Sequence, residues 1–287
     1  MLIPPDIRAR IRGLRFTSPL VANGNGVGQH LGRHRGSGVE FEQYRAYEPG
    51  DEPRRVDWKL YGRSDRFFVR EATKENPLTV WLLVDATVSM AQADTNRPNY
   101  SKLVAAKLLA ACLAEIGVAQ GEPVGMFGIG SGLDFVPPST GTRHRDRLFA
   151  ALDGLVSRGA WPAETRLQPL WERISPDSLI VIISDGFDSA LPIMVERLAA
   201  TRRQVFSLGI LSCDERDFPF EGGFIFRDPE SGEECRIDGA AARADFLSRF
   251  AGARADLVAR LAQSGVRHIE HYLDEPADLP LRRLLAP

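Results

Sequence analysis

The chain has 287 residues, which is enough for one large α/β domain or two small ones. Hydrophobic residues make up 44% and charged residues 26%, so a disordered or fibrous protein is excluded. The 36 basic and 38 acidic side chains leave a net charge of -2, and no overall basic field favours nucleic acid. Three widely spaced cysteines exclude a disulfide framework or a thiolate zinc site, and we expect a reducing, cytoplasmic location.

The first 76 residues differ in texture from the rest of the chain. They are rich in Gly and Arg and carry a net charge of about +4, whereas residues 77–287 carry about −6. They also lack the apolar core of a signal peptide, and no membrane span is expected. We therefore predict an irregular and β-rich leader over 1–76 that packs on a main domain over 77–287.

Charged residues of alternating sign are concentrated in the second half of the leader. They are Arg45, Asp51, Arg54, Asp57 and Arg63, with Phe41, Tyr44, Tyr47 and Trp58 between or beside them. Guanidinium and carboxylate groups in such a pattern can form hydrogen-bonded pairs that fasten the leader to the sheet, with the aromatic rings filling the junction. The alternative is a partner-binding surface on which the same groups exchange partners.

The main domain alternates apolar strand-like runs with helical patterns. The predicted strands are Leu78–Asp85, Pro123–Ile129, an edge strand Leu133–Val136, Ser178–Ser184, Gln204–Leu208 and Val266–His271. The predicted helices are Asn99–Ile116 with Gly117 as its stop, Arg143–Leu155, Leu167–Ile174, Pro192–Thr201, Ala240–Gln263 and Leu279–Leu285. This alternation predicts an α/β fold with a doubly wound, mostly parallel, Rossmann-like sheet and helices on both faces.

Three further features of the main domain follow from local pattern. The segment 212–238 interrupts the alternation and predicts a hairpin insertion. Lys107 and Glu115 break the apolar run 103–119, which therefore predicts a buried helix and not a membrane span. Arg254 lies on the Ala- and Arg-rich helix between Arg249 and Arg260, and we predict a solvated face for all three.

Polar side chains follow successive predicted strands at the edge where parallel sheets bind ligands. Asp85, Thr87 and Ser89 occupy alternate positions after the first strand, so one carboxylate and two hydroxyls can point to one place. Thr165 precedes a later helix, and Asp185 ends the next strand. Oxygen ligands select a hard cation, so the pattern predicts a site for Mg²⁺, with Mn²⁺ or Ca²⁺ as alternatives.

This pattern resembles the metal-ion-dependent adhesion site of von Willebrand factor A domains, with Thr87 in place of the usual first Ser. The resemblance implies a von Willebrand factor A-like fold. It also implies that Thr87 and Ser89 bind the metal directly, that Asp85 and Asp185 act mainly through coordinated water, and that Thr165 engages or withdraws as its loop shifts. An acidic residue of a partner protein would fill the sixth position.

The leader resembles a second, narrower pattern. Its runs Gly-Val-Glu-Phe at 38–41, Arg-Ala-Tyr-Glu-Pro-Gly-Asp at 45–51, Arg-Val-Asp-Trp at 55–58 and Val-Arg-Glu at 69–71 are similar to the signature of the domain-of-unknown-function 58 family. The Asp228-Pro229-Glu230 insertion and the long C-terminal helix also fit. The resemblance implies work with a MoxR-type AAA+ ATPase, or its client, in chaperone-like assembly or maturation of protein complexes. Our leading hypothesis is a non-enzymatic module that binds this partner protein through the divalent cation.

Two other functions remain open at this point. One is a Mg²⁺-dependent phosphate-ester hydrolase, because acidic strand ends that hold Mg²⁺ also serve phosphoryl transfer. The sequence after Asp85 lacks a second acid two residues on, having Thr87 there, and supplies no obvious phosphate cradle. The other is a metal-free scaffold in which Thr87 and Ser89 only cap the following helix.

Overall fold

The computed structural model describes residues 2–17, 43–48, 51, 53, 56–71, 77–228 and 232–286. The strands are β1 (Gln43–Ala46), β2 (Phe68–Glu71), β3 (Val80–Asp85), β4 (Val124–Ile129), β5 (Leu133–Ser139), β6 (Leu179–Ser184), β7 (Gln204–Leu211), β8 (Gly223–Arg227), β9 (Glu234–Asp238) and β10 (Arg267–Tyr272). The helices are α1 (Pro5–Arg10), α2 (Trp58–Ser64), α3 (Lys102–Gln120), α4 (Thr142–Gly154), α5 (Gln168–Arg173), α6 (Ala190–Ala199), α7 (Cys213–Asp217), α8 (Gly239–Gln263) and α9 (Asp278–Leu284).

The chain divides into two compact units. One comprises Met1–Gly24 and Leu78–Pro287, and the other comprises Asn25–Pro77. Residues 2–17 thus belong to the same unit as the sheet, where Phe16 hydrogen-bonds to Gln120 of α3 through its backbone. The predicted packing of the leader as a whole on the main domain stays a prediction.

The smaller unit contains β1 paired antiparallel with β2, and α2 between them in the chain. Arg45 pairs with Asp51 at 2.8 Å within this unit, while Asp57 caps α2 by accepting from two backbone N–H groups. The predicted pairs that fasten the leader to the sheet stay a prediction. Trp58 is 60% exposed and lies edge-on to its neighbour Tyr61. The predictions for Phe41 and Arg54 fall outside the described residues.

A six-stranded sheet in the order β10-β7-β6-β3-β4-β5 forms the centre of the larger unit. All neighbours are parallel except β5, which pairs antiparallel with β4 at one edge, as predicted. Side chains of successive residues point to opposite faces, so Val80, Leu82 and Val84 enter one core while Trp81 and Leu83 enter the other. These features confirm the predicted doubly wound, von Willebrand factor A-like α/β fold.

Helices cover both faces of the sheet, because each face of an all-buried strand must meet apolar side chains. Side chains of α1, α3, α4 and α9 fill one core, and side chains of α5, α6 and α8 fill the other. The predicted hairpin insertion is confirmed by β8 and β9, which pair antiparallel outside the main sheet. The three cysteines are free.

Helix α3 corrects one prediction and supports another. It continues through Gly117 to Gln120 and ends at Gly121, which has the left-handed conformation (φ 82°) of a helix terminus. Gly117 serves close packing instead, because a Cβ there would lie 2.6 Å from the side chain of Val124. Among the described helices, α3 alone is long and apolar enough to cross a membrane, and 61% of its apolar window is buried inside the fold.

The packing of Gly125 against Trp81 gives a test of the sheet. A Cβ at Gly125 would lie 2.6 Å from the indole ring, so we expect Gly125→Ala to lower the free energy of unfolding by about 1–3 kcal/mol. Gly252 of α8 has open space around it, so Gly252→Ala is the control, with an expected gain of about 0.5–1 kcal/mol. Urea unfolding measures both, and a Gly125→Ala protein as stable as wild type would contradict this packing.

Candidate metal site

The candidate site is built on the Asp85 carboxylate at the carboxyl end of β3. Val84 of β3 pairs with Ile183 of β6, so the last residues of the two strands, Asp85 and Ser184, lie side by side. The Ser184 hydroxyl donates to Asp85 Oδ2 at 2.6 Å. Asp85 is 3% exposed, and its charge is therefore almost removed from water.

The turn after β3 folds back on the same carboxylate. Thr87 donates to Asp85 Oδ1 from its backbone N–H at 2.9 Å and from its hydroxyl at 2.7 Å. The Ser89 hydroxyl lies 3.0 Å from Thr87 Oγ1, at the start of a 3₁₀ turn over Val88–Ala91. The three residues at alternate positions are therefore brought together in a chain of oxygen atoms, as the sequence predicts.

Burial and a second carboxylate raise the pKa of Asp85 to about 6. Desolvation is the larger cause, and the charge of Asp185 adds to it, while hydrogen bonds from Ser184 and Thr87 act in the opposite direction. Within the described part of the chain, no Lys, Arg or His side chain forms an ion pair with Asp85. At the carboxyl end of β3 the fold thus holds an anionic group that no positive side chain of the described residues contacts.

Asp185 ends up beside the cluster but is held by other groups. Its Oδ1 accepts from the Phe187 N–H at 3.2 Å, and its Oδ2 accepts from the Lys102 ammonium at 3.0 Å. Its backbone carbonyl accepts from Arg254 at 2.9 Å. Asp185 is therefore close enough to influence the charge of Asp85, and its carboxylate already has a cation.

Thr165 lies apart from these residues in the contacts that the structure describes. It is exposed in a 3₁₀ turn over Glu164–Leu167, and no hydrogen bond joins it to Asp85, Thr87 or Ser89 within the described ranges. Glu164 pairs with Arg197 of α6. A ligand role for Thr165 stays a prediction.

Sequence reasoning missed two residues of this site and misplaced a third. Ser184 was detectable, because it ends a strand next to Asp185. Lys102 was not, because its second partner, Glu215, lies 113 positions away. Arg254 is 7% exposed and bonds to Asp185 and Glu270, so the predicted solvated face was wrong at this position.

The residues present fit a hard divalent cation. The nearby donors are carboxylate and hydroxyl oxygens, and the Asp85 charge has no ion-pair partner among the described side chains. No group of three or more His, Cys, Asp or Glu in the described residues is arranged to hold a metal, so hydroxyl ligands are essential to such a site. Thr87 supplies the oxygen that a Ser would supply.

Comparison with known proteins identifies relatives along most of the chain. The sequence profile described as "Protein of unknown function DUF58" matches residues 43–256, about three quarters of the chain. The "Uncharacterized protein Rv1480" of Mycobacterium tuberculosis (strain ATCC 25618 / H37Rv) is 28% identical over 270 residues, which cover 91% of this chain and 83% of the relative.

Solved structures that resemble the chain include an aerotolerance-related membrane protein of Bacteroides fragilis NCTC 9343, with 17% identity, coverage of 72% of this chain and 96% of that one, and a TM-score of 0.46. The SpRpn10 VWA domain is 11% identical, with coverage of 72% of this chain and 94% of that one and a TM-score of 0.40. Proximal thread matrix protein 1 of the mussel byssus, with a zinc-occupied MIDAS motif, is 16% identical. The match covers 47% of this chain and 38% of that one and has a TM-score of 0.35. These scores lie below 0.5, and the fold class follows from the chain's own strand order.

The raised pKa of Asp85 predicts that its charge destabilises the metal-free protein. A folded pKa of about 6, above the ordinary 3.8, means that the contribution of Asp85 to stability is fully present below pH 4 and is lost as the pH rises through 6. We therefore expect Asp85→Asn to raise the free energy of unfolding in EDTA at pH 7.5 by about 1–3 kcal/mol, with the gain shrinking towards pH 4.

Chemical denaturation at both pH values measures this effect. Asp134→Asn is the control, because Asp134 is exposed on β5 and its replacement is expected to change the free energy by less than about 0.5 kcal/mol. A loss of stability in Asp85→Asn at pH 7.5 would contradict an uncompensated charge at this position.

Proposed function

The chain belongs to the DUF58 family, and from this premise we propose that it is a protein-binding module that engages an acidic partner through a divalent cation. One observation carries the proposal. A buried carboxylate, Asp85, is tied to the hydroxyls of Thr87 and Ser89 at the edge of a parallel sheet and has no positive partner in contact among the described residues. Such an arrangement costs stability unless a cation binds there.

The electrostatics favour a divalent ion over a permanently empty site. An isolated buried carboxylate is normally paired, protonated or bound to a metal. The charge of Asp185 raises the pKa of Asp85, so the repulsion between the two carboxylates adds to the cost of burying Asp85. A divalent cation neutralises two such charges at once, which a single Lys or Arg does not.

We assign separate tasks to the ligand residues. The hydroxyls of Thr87 and Ser89 would contact the ion directly, since they lie 3.0 Å apart and are neutral donors. Asp85 orients the Thr87 hydroxyl by accepting a hydrogen bond from it and would contact the ion through water, as would Asp185. Neutral ligands leave much of the ion's charge in place, and a bound Mg²⁺ supplies an open position for a partner carboxylate.

The surface beside Asp185 supports a binding role. Phe187 lies two residues after Asp185 and is 49% exposed. A half-exposed aromatic ring next to a charged site is a feature of interface centres, where an apolar anchor excludes water from a polar contact. We propose that a partner places an acidic side chain at the ion and an apolar group against Phe187.

The resemblance to DUF58 proteins directs the choice of partner. We propose a MoxR-type AAA+ ATPase, or its client, and a cytoplasmic, non-enzymatic role in assembly or maturation of protein complexes. Thr87 stands where a phosphoryl-transfer site of this type would place a second acid. Binding is therefore preferred to hydrolysis.

A binding assay with the purified MoxR-type ATPase of the same genome tests this function. We expect capture in Mg²⁺ and at least a tenfold loss in EDTA or with Thr87→Ala/Ser89→Ala, because both remove the ion. Ser139→Ala/Thr140→Ala is the matched control, since it removes one exposed Ser and one exposed Thr from another part of the molecule. Capture that is unaffected by EDTA would contradict cation dependence, and no capture in Mg²⁺ would contradict this choice of partner.

A further inference from the structure

A fully buried lysine lies next to the candidate metal site. Lys102 is the first residue of α3, and its side chain is 0% exposed. The ammonium lies 3.0 Å from Asp185 Oδ2 and 2.8 Å from Glu215 Oε1, and it sits 5.0 Å from the ring centroid of Phe187. A buried positive charge thus lies beside the candidate site, in contact with Asp185.

This lysine remains charged despite its burial. The carboxylates of Asp185 and Glu215 both lie within ion-pair distance of the ammonium, so its charge is compensated inside the fold. Removal of one member of a buried ion pair is costly because it leaves the other charge unpaired. The ammonium is therefore a permanent part of the folded protein.

Lys102, Asp185 and Glu215 form a buried ionic triad, and its surroundings hold it in place. Glu215 Oε2 accepts from the Ser212 N–H at 2.8 Å, and the Ser212 hydroxyl accepts in turn from the Glu215 N–H at 3.1 Å. This reciprocal capping box starts α7 and fixes the Glu215 side chain. Because Glu215 is fixed, Lys102 is held against Asp185 and not free to turn away.

The two aspartates of the site therefore differ in kind. Among the described residues, the donors to Asp85 are hydroxyl and backbone groups, whereas one oxygen of Asp185 accepts from an ammonium that carries a full positive charge. An ammonium beside a divalent cation repels it, and a carboxylate that is bound to lysine is a poorer acceptor for the water shell of a metal. Both effects lower the affinity of the site for a divalent ion.

From this geometry we infer that Lys102 sets the cation affinity of the site, acting as a resident positive charge that competes with the divalent ion for Asp185. The inference rests on the proposed function and deepens it. An ion held weakly by the protein alone is held more tightly once a partner carboxylate joins its coordination, so cation binding and partner binding strengthen each other. The partner chemistry that fits is an acidic side chain.

A purely structural role for Lys102 makes a different prediction. If the triad only joins α3, β6 and α7, its replacement changes stability and leaves the affinity for Mg²⁺ as it was. A measurement of affinity in folded variants separates the two roles.

The test compares the Mg²⁺ affinity of wild type with that of Lys102→Met/Glu215→Gln. This double variant removes one positive and one negative charge, so the net charge of the protein is unchanged while Asp185 loses its ammonium. We expect the dissociation constant for Mg²⁺, measured by calorimetry at fixed ionic strength, to fall at least tenfold. The control is Lys107→Met on the same helix, because Lys107 bonds to the carbonyl of Asp153 away from the site.

Thermal unfolding with and without Mg²⁺ provides a second readout, with a larger stabilisation by Mg²⁺ in the double variant than in wild type. If Lys102→Met/Glu215→Gln does not fold, Lys102→Gln/Glu215→Gln keeps a hydrogen-bond donor in the same place and carries the same expectation.

The outcomes distinguish this inference from the function on which it rests. Equal Mg²⁺ affinity in wild type and the folded double variant would overturn the role of Lys102 and leave the cation site intact. Binding by the double variant but not by wild type would support the role of Lys102 and contradict a metal-dependent native protein. Binding by neither protein would contradict both proposals.

Discussion

A single buried carboxylate organises the end of this sheet. Asp85 Oδ1 fixes the turn after β3 through two bonds from Thr87, and Oδ2 fixes the end of β6 through Ser184. A neutral side chain could make some of these bonds, but only a carboxylate offers four acceptor sites to donors from two strands. These bonds place two hydroxyls next to a charge that no cation of the described residues contacts, and this arrangement is the basis of the proposed cation site.

The charges around this carboxylate are balanced unequally. Lys102 forms ion pairs with Asp185 and Glu215. Arg254 of α8 donates to the Asp185 carbonyl and also bonds to Glu270 at 2.7 Å. Positive groups thus surround Asp185 on two sides, but neither contacts Asp85. In our proposal, the negative charge of Asp85 attracts the cation and the neighbouring ammonium of Lys102 moderates that attraction.

Sequence reasoning predicted the features that depend on residues close together in the chain and missed those that depend on distant residues. The parallel strands were predictable because each is an apolar run buried on both faces, and Asp85, Thr87 and Ser89 come together because they lie within five residues after one strand. Gly117 misled because its small size serves contact with Val124 and not helix termination. Lys102 and Arg254 depended on partners far away in the chain, although the Ser212 and Glu215 spacing could have indicated the start of α7.

The central claim is that Thr87 and Ser89 hold a divalent cation beside Asp85. Crystals grown with Mn²⁺ test it most directly, because anomalous scattering locates the ion without assumptions about its ligands. The account predicts a strong anomalous peak within coordination distance of Thr87 Oγ1 and Ser89 Oγ, with Asp85 joined to it through water. Ordered crystals in excess Mn²⁺ that place no peak at these hydroxyls would contradict it.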